Sequence, residues 1–112
     1  MDCLFCKFIN KELKTDIVYE DENILAFKDI SPLAKTHILF IPKTHSNNIS
    51  EMVAQGEDMN NIFKAITSYA KEAGLEQEGY RVVNNLGTFG GQSVFHTHFH
   101  LLGAEQLKGF GA

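Results

Sequence analysis

The sequence predicts an α+β fold built on one antiparallel sheet, and three observations lead to this prediction. Five segments rich in β-branched and aromatic residues have the length expected of strands. One long segment has helical periodicity, and a second, short one lies near the start of the chain. The strand segments follow one another through short polar turns, without strand–helix–strand alternation. We therefore expect a five-stranded antiparallel sheet, one main helix and a short N-terminal helix.

The first elements are expected to be a short helix and a β-hairpin. Apolar residues recur at helical spacing from Leu4 to Ile9 and predict a helix that ends near Asn10 and closes one end of the core. Residues 16–20 and 23–27 flank a polar pair, which is typical of a hairpin.

The middle of the chain is expected to hold a buried strand and the main helix. Residues 37–41 form an almost continuous apolar run ended by Pro42, which predicts a central strand buried on both faces. Ser50 is expected to cap a short helical turn. Residues 56–73 carry apolar side chains at steps of three and four and predict the main helix, with Gly74 as its stop.

The last two strands are expected on either side of a glycine-bearing loop. Residues 79–85 predict the fourth strand, residues 87–91 the loop and residues 93–102 the fifth strand. The whole chain, residues 1–112, is expected to form one domain, because its length suffices for one hydrophobic core and not for two.

Composition excludes several classes of function. A net charge of -4 and a single arginine, Arg81, argue against a nucleic-acid-binding surface, which needs clustered basic residues. No apolar run approaches the length of a membrane span, so no membrane partner is expected. The start, Met1-Asp2-Cys3, does not resemble a signal peptide, and we expect a cytoplasmic protein.

Three histidines at alternate positions, His96, His98 and His100, are the candidate catalytic group. Alternate residues of a strand share one face, so the three imidazoles are expected to line up. Imidazoles titrate near neutrality and serve as nucleophiles, acid–base catalysts or metal ligands. The structural alternative, a half-exposed strand whose histidines only contact water, suits a single histidine better than three in register.

Two chemical interpretations of the histidine row remain open. In one, imidazoles bind a zinc ion that activates water, although His96 and His100 would lie about 13 Å apart along a strand, too far for one ion. In the other, the central imidazole attacks phosphorus. The preceding Gly90-Gly91-Gln92-Ser93 favours the second, because glycines let the backbone approach a phosphate and the next two side chains can donate hydrogen bonds. A plain connecting loop is the alternative for this segment.

Four segments together resemble the histidine triad (HIT) family, in particular its Hint-like branch of bacterial-type nucleotide hydrolases. Residues 90–103, Gly-Gly-Gln-Ser-Val-Phe-His-Thr-His-Phe-His-Leu-Leu-Gly, resemble the family signature, in which histidines alternate with hydrophobic residues. Residues 27–32, 36–43 and 79–85 resemble further blocks of the same branch, in the same order. The resemblance therefore covers nearly the whole chain.

The resemblance implies a fold, an assembly and an activity. It implies a HIT-like fold and a homodimer whose two sheets join into one, with hydrolysis of purine nucleoside 5′-phosphoramidates and aminoacyl adenylates through a nucleotidyl-histidine intermediate. An AMP-like purine nucleotide is the expected ligand, and no cofactor is expected for catalysis. The alternatives are a dinucleoside polyphosphate hydrolase, a purine-nucleotide-binding interaction module with incidental hydrolysis, and a zinc-dependent hydrolase.

The resemblance also implies roles for single residues. His98 would be the nucleophile, His100 would contact the phosphate, and His96 and His37 would support the histidine cluster. The remaining implied contacts are to the phosphate, from Gly91, Gln92 and Ser93, and to the nucleoside, from Phe27, Asp29, Ile30 and Asn85.

Several of these residues have structural interpretations of equal simplicity. Asp29 lies in a turn, where its carboxylate could accept two ribose hydroxyls or form an ordinary Asx turn before Pro32. His37 opens a buried strand, where a hydrogen-bonded core histidine is common. Asn85 could be a turn asparagine, and Phe27 or Ile30 a core residue.

Cys3 and Cys6 have C-x-x-C spacing, and with no secretion signal a disulfide is not expected. The resemblance implies a structural zinc site formed by Cys3, Cys6, His45 and His96, as in some bacterial members of the family. The spacing is not that of a zinc finger, so two packed thiols and a surface His45 are the alternative. If zinc binds, His96 is structural and not catalytic.

Two residues depart from the family pattern. Thr97 stands where a hydrophobic residue is usual, and its hydroxyl is expected to bond locally. Asn84 also replaces an apolar residue, which puts the local packing of its strand in question.

Overall fold

A computed structural model of the protein describes residues 3–110. Its elements in chain order are α1 (Leu4–Ile9), β1 (Ile17–Glu20), β2 (Ile24–Lys28), β3 (Thr36–Pro42), α2 (Ile49–Ala54), α3 (Met59–Glu72), β4 (Arg81–Asn84) and β5 (Phe99–Gly103). The strands form one sheet in the order β1-β2-β3-β5-β4, and each neighbouring pair is antiparallel. This confirms the predicted five-stranded α+β architecture.

The sheet is covered on both faces. On one face α3 packs through Ile62, Ala65, Ile66 and Ala70 against side chains of β2, β3 and β5. On the opposite face α1 packs through Phe5 against Leu25, Phe27, Leu39 and Ile41. The expectation that α1 closes one end of the core is therefore wrong, because α1 covers a face of the sheet. The two-sided cover explains why β3 reads as a continuous apolar run, as predicted.

Both later helices begin at other residues than predicted. The side chain of Asn48, not Ser50, accepts the N–H of Glu51 and caps α2. Gly56, expected inside the main helix, has a φ of 79° and ends α2, so α3 begins after the cap residue Asp58. Gly74 does end α3, with a φ of 75°.

The last strand is shorter than predicted. β5 begins at Phe99, whereas residues 93–98 form an irregular connection from the glycine-bearing loop. Only His100 of the histidine row is therefore in a strand. The alternation of faces nevertheless extends back from β5, because Phe99 and Leu101 lie in the core beneath α3 and the histidines lie on the α1 side.

No helix within residues 3–110 is both long and apolar enough to cross a membrane. Met1 and Asp2, on which the expectation about a signal peptide depends in part, lie outside the described residues.

Candidate active site

The histidine row lies against the N-terminal helix. The ring of Phe5 contacts the rings of His96 and His98 edge to face, with centroids 5.9 and 5.2 Å apart. The rings of His98 and His100 follow at a centroid separation of 5.0 Å. The predicted grouping of the three imidazoles on one side of the chain is therefore present, although two of them precede the strand.

The main chain fixes the proton of His98. Its Nδ1 lies 2.8 Å from the carbonyl oxygen of His96, which can only accept a hydrogen bond. In the neutral ring, Nδ1 therefore carries the proton and Nε2 has the lone pair. A neutral imidazole held in this tautomer is what nucleophilic attack through Nε2 requires.

A second chain of hydrogen bonds fixes His37 and His100. The backbone N–H of Leu33 donates to Nδ1 of His37 over 3.0 Å, so the proton of neutral His37 is on Nε2. That Nε2 lies 2.9 Å from Nδ1 of His100, which must then accept. His100 consequently carries its proton on Nε2, where it can donate to a phosphoryl oxygen.

Burial keeps these two imidazoles neutral. It lowers the pKa of His100 to about 4, helped by the neighbouring His98 and His37 and opposed by Asp29. Burial also lowers the pKa of His37, against the opposing charge of Asp29. At neutral pH both rings therefore act as single donors and acceptors, as the hydrogen-bond chain requires.

Asp29 lies beside this chain, directly after β2. One carboxylate oxygen, Oδ1, accepts the N–H of Ser31 over 2.8 Å, so the Asx turn that was the structural alternative for Asp29 is present. The other, Oδ2, lies 3.4 Å from Nε2 of His37. The turn thus holds a carboxylate next to the histidine row. Ile30, one residue on, is 95% exposed.

The structure places two aromatic residues of α1, Phe5 and Phe8, next to the site, and the sequence analysis did not name either as a site residue. Phe27, which was expected to flank a base, is buried, and its ring contacts Phe5 and Phe8 at centroid separations of 5.3 and 5.1 Å. Both partners belong to α1. Their helical spacing in the sequence marked an apolar face of α1. Only the packing of α1 on the sheet shows that this helix face contacts the histidines.

The glycine-bearing loop is braced by two amide side chains. Gln92 is buried, accepts the N–H of Gly87 and donates both amide hydrogens, to the carbonyls of Asn47 and Val94. This corrects the expected side-chain contact of Gln92 with a phosphate, because its amide hydrogens are already in use. Asn85 donates to the carbonyl of Gly90 over 2.6 Å, which leaves its amide oxygen as an acceptor.

Glycine is favoured at three positions of this loop, of which Gly87 has a φ of 72°. A Cβ on Gly90 would overlap the main-chain oxygen of Leu86, and Gly91 has a φ of 88°. Ser93, which follows, is exposed and lines a surface groove with Val94 and Phe95. The loop therefore presents backbone and a hydroxyl on the surface just before the histidine row.

Three further side chains converge on His96, as the resemblance implied. The sulfur and nitrogen donor atoms of Cys3, Cys6, His45 and His96 all lie within 4.8 Å of one another. Sγ of Cys3 is 3.3 Å from Nδ1 of His96, and Sγ of Cys6 is 3.3 Å from Nδ1 of His45. A tetrahedral zinc ion with ordinary bond lengths spaces sulfur and nitrogen ligands by about 3.5 Å, so the spacing suits one ion.

The protonation of the two imidazoles in this group also suits a cation. Nε2 of His96 donates to the carbonyl of Pro42 over 2.8 Å. Nε2 of His45 donates to Oδ1 of Asn47 over 3.0 Å, while the amide nitrogen of Asn47 donates to Glu51. Both Nδ1 atoms therefore present lone pairs, and they face each other at 3.0 Å. Outer hydrogen bonds of this kind orient histidine ligands in metal sites.

Without a cation, the Cys6 thiol and the His96 imidazole are both held in their neutral forms. Burial, together with Cys3, raises the pKa of the Cys6 thiol to about 11. Burial lowers the pKa of His96 to about 4. A bound cation would favour the thiolate form, so binding is expected to release protons.

Asp29, His37 and His100 form a second group with the spacing of a metal site. The hydrogen bonds argue against a metal there. An ion on Nε2 of His37 would move the ring proton to Nδ1, where the N–H of Leu33 already points. This group is therefore a hydrogen-bonded chain, whereas the cysteine and histidine group has the lone pairs that a cation needs.

The two departures from the family pattern are both accommodated. The hydroxyl of Thr97 is buried and lies 2.6 Å from that of Ser46, which is 51 residues away in sequence, so it bonds across the fold and not locally as expected. Nδ2 of Asn84 donates to the carbonyl of His98 over 2.9 Å. Asn84 thus contacts the histidine row itself, which the sequence did not suggest.

The fold is thus an open antiparallel sheet that holds a main-chain-oriented histidine, His98, beside a glycine-bearing loop. Comparison with known proteins agrees. The sequence profile described as HIT domain matches residues 10–107. The chain therefore belongs to the HIT family.

Named relatives and solved structures give the family context. The purine nucleoside phosphoramidase of Escherichia coli K12 is 38% identical over 107 residues, which are 95% of this chain and 90% of that protein. The structure of a histidine triad protein from Clostridium difficile is similar with a TM-score of 0.89 and 41% identity, covering 99% of this chain and 97% of the other. A HIT family hydrolase from Legionella pneumophila has a TM-score of 0.88 and 42% identity, covering 96% of each chain.

Proposed function

We propose that the protein hydrolyses purine nucleoside 5′-phosphoramidates, and aminoacyl adenylates, with His98 as the nucleophile. The observation that carries the proposal is the bond from Nδ1 of His98 to the carbonyl of His96, which leaves Nε2 free to attack. The named activity of the Escherichia coli relative supports the same substrate class.

The reaction follows from the protonation states at the site. The Nε2 lone pair of His98 attacks phosphorus, the P–N bond of the substrate breaks, and the leaving amine takes its electron pair and a proton from solvent. Water then cleaves the P–Nε2 bond, returns a proton to solvent and releases the nucleotide. Nε2–H of His100 donates to a phosphoryl oxygen throughout and stabilises the added negative charge.

The remaining contacts complete the proposed nucleotide site. The Gly91 backbone and the Ser93 hydroxyl bind phosphoryl oxygens, and Oδ2 of Asp29 accepts ribose hydroxyls. The base lies near Phe27 and the exposed Ile30. The amide oxygen of Asn85 accepts from the nucleotide.

Replacement of His98 tests the proposal. His98→Asn is expected to reduce turnover of a fluorogenic adenosine phosphoramidate at least about a thousandfold, because no nucleophile remains, while AMP still binds in calorimetry. Undiminished turnover would reject the role of His98. Tight AMP binding without turnover by the wild type would favour an interaction module, and faster cleavage of diadenosine polyphosphate would favour the other hydrolase.

We also propose that Cys3, Cys6, His45 and His96 hold one structural zinc ion. The facing Nδ1 lone pairs and the spacing of the donor atoms support this proposal. A structural ion here supplies no chemistry to the substrate. It ties the start of α1 to His96, whose carbonyl orients His98. Activity that survives chelation in folded protein would exclude a zinc-dependent hydrolase.

A homodimer joined at β4 is the third proposal. β4 pairs with β5 on one side only, and its register is regular. The other edge strand, β1, has a register shift between Ile17 and Tyr19, of the kind that protects an edge from pairing. Val82 on β4 is apolar and exposed, as is Phe63 on α3, whose ring packs against Phe99 of the neighbouring β5, so β4 is the edge suited to a partner.

A further inference from the structure

His37 contacts both the proposed ribose site and the proposed phosphate site. Its Nε2 lies 2.9 Å from Nδ1 of His100 and 3.4 Å from Oδ2 of Asp29. The side chain is buried, and its other nitrogen accepts the N–H of Leu33. His37 thus has one proton and two acceptors, one on each side.

The two acceptors compete for that proton. One N–H makes one well-aligned hydrogen bond, and the shorter contact is to His100. If the proton turned towards Asp29, Nδ1 of His100 would lose its donor, and the tautomer of His100 would no longer be fixed. Ribose hydroxyls that donate to Oδ2 would occupy that acceptor and leave the proton of His37 to His100.

We propose that His37 is a positioning residue that couples ribose binding at Asp29 to the orientation of His100 at the phosphate. The inference rests on the proposed function, since it assigns Asp29 to the ribose and His100 to the phosphate. Its consequence is a form of specificity. Ribose hydroxyls accelerate turnover, beyond what they contribute to binding.

Kinetics with matched substrates test the coupling. The test compares adenosine phosphoramidate with its 2′,3′-dideoxy analogue. In the wild type, loss of the hydroxyls is expected to lower kcat about three- to tenfold in addition to raising KM, as expected for one weakened hydrogen bond in the transition state. An equal kcat for the two substrates would overturn the proposal.

Leu33 offers a matched pair of variants that leave the buried residues unchanged. Its side chain is 81% exposed, so Leu33→Ala keeps the N–H and loses little packing, whereas Leu33→Pro removes the donor to His37. Leu33→Ala is expected to keep the kcat ratio of the two substrates. In Leu33→Pro the kcat values for the two substrates are expected to lie within about twofold of each other, because His37 is then free to exchange its tautomer. The same kcat ratio in both variants would contradict the proposed coupling through His37.

Nuclear magnetic resonance tests the coupling through His37 independently of the proposed hydrolase activity. Imidazole nitrogen shifts report which nitrogen carries the proton, and coupling across the His37 to His100 bond reports its strength. AMP is expected to strengthen this coupling, and 2′,3′-dideoxy AMP is not. The same imidazole nitrogen shifts and the same coupling with both nucleotides would reject the proposed role of His37 even if phosphoramidates are cleaved. A stronger coupling with AMP than with 2′,3′-dideoxy AMP would support the role of His37 even if phosphoramidates are not cleaved.

Discussion

Asn84 donates its side-chain amide to the main-chain carbonyl of His98, with 2.9 Å between Nδ2 and the oxygen. The bond crosses from the end of β4 to the residue just before β5. It holds His98 where the chain is no longer in regular sheet pairing. A polar residue at an otherwise apolar position of the family pattern therefore has a local structural explanation.

Replacing Asn84 is expected to affect the rate. Asn84→Leu removes the donor, so the main chain at His98 becomes freer, and kcat should fall about three- to tenfold with little change in KM. Steady-state kinetics and thermal unfolding of the same preparations check this. An unchanged kcat with a lower melting temperature would mean that the bond serves only the strand pair.

Removal of the proposed zinc ligand Cys6 is expected to lower stability. The purified wild type should contain about one zinc ion per chain, and Cys6→Ser much less, as measured by mass spectrometry. A strong chelator should lower the melting temperature of the wild type, because an ion bound only to the folded state stabilises it. The chelator should leave Cys6→Ser unchanged, which controls for effects elsewhere. A metal-free wild type that melts at the same temperature would reject the site.

The two edge strands provide a matched test of the proposed dimer. Val82 on β4 and Ile17 on β1 are 38% and 37% exposed, so neither substitution buries much more charge than the other. Val82→Arg is expected to shift the protein from dimer to monomer in analytical ultracentrifugation, because a charge would lie in the joined sheet. Ile17→Arg should leave the dimer intact. A dimer that is lost only with Ile17→Arg would place the interface at the other edge.

The half-buried imidazole of His100 predicts how stability depends on pH. Its pKa is about 4 in the folded protein, below the value of about 6.5 expected for an unfolded chain. Between these values the unfolded state binds more protons, so stability falls as pH falls. The contribution is complete above about pH 6.5 and is lost by about pH 4. The free energy of unfolding, measured with urea, should fall more steeply through this pH window for the wild type than for His100→Gln. Equal slopes for the two proteins would contradict this prediction.

The sequence was sufficient where local rules decide the structure. Residues 37–41 were correctly placed in a central buried strand, because an uninterrupted apolar run is stable only with cover on both faces. Helix limits were less well predicted, since Asn48 and Ser50 are both good capping residues and only backbone geometry selects one. The strand at the histidine row was overextended, because alternation of faces continues for several residues beyond the regular sheet pairing.

The sequence by itself determined the strand order along the chain, the grouping of the histidines and, through several ordered motifs, the resemblance to the HIT family. Only the tertiary structure decided which nitrogen of each histidine carries its proton. For His37, His96 and His98 that depends on three main-chain groups, the N–H of Leu33 and the carbonyls of Pro42 and His96, of which only the carbonyl of Pro42 is distant in sequence from the histidine it contacts. It also placed α1 over the histidines and Asn84 at His98. Side-chain patterns record which surfaces are buried, but the direction of a hydrogen bond depends on where the folded backbone lies.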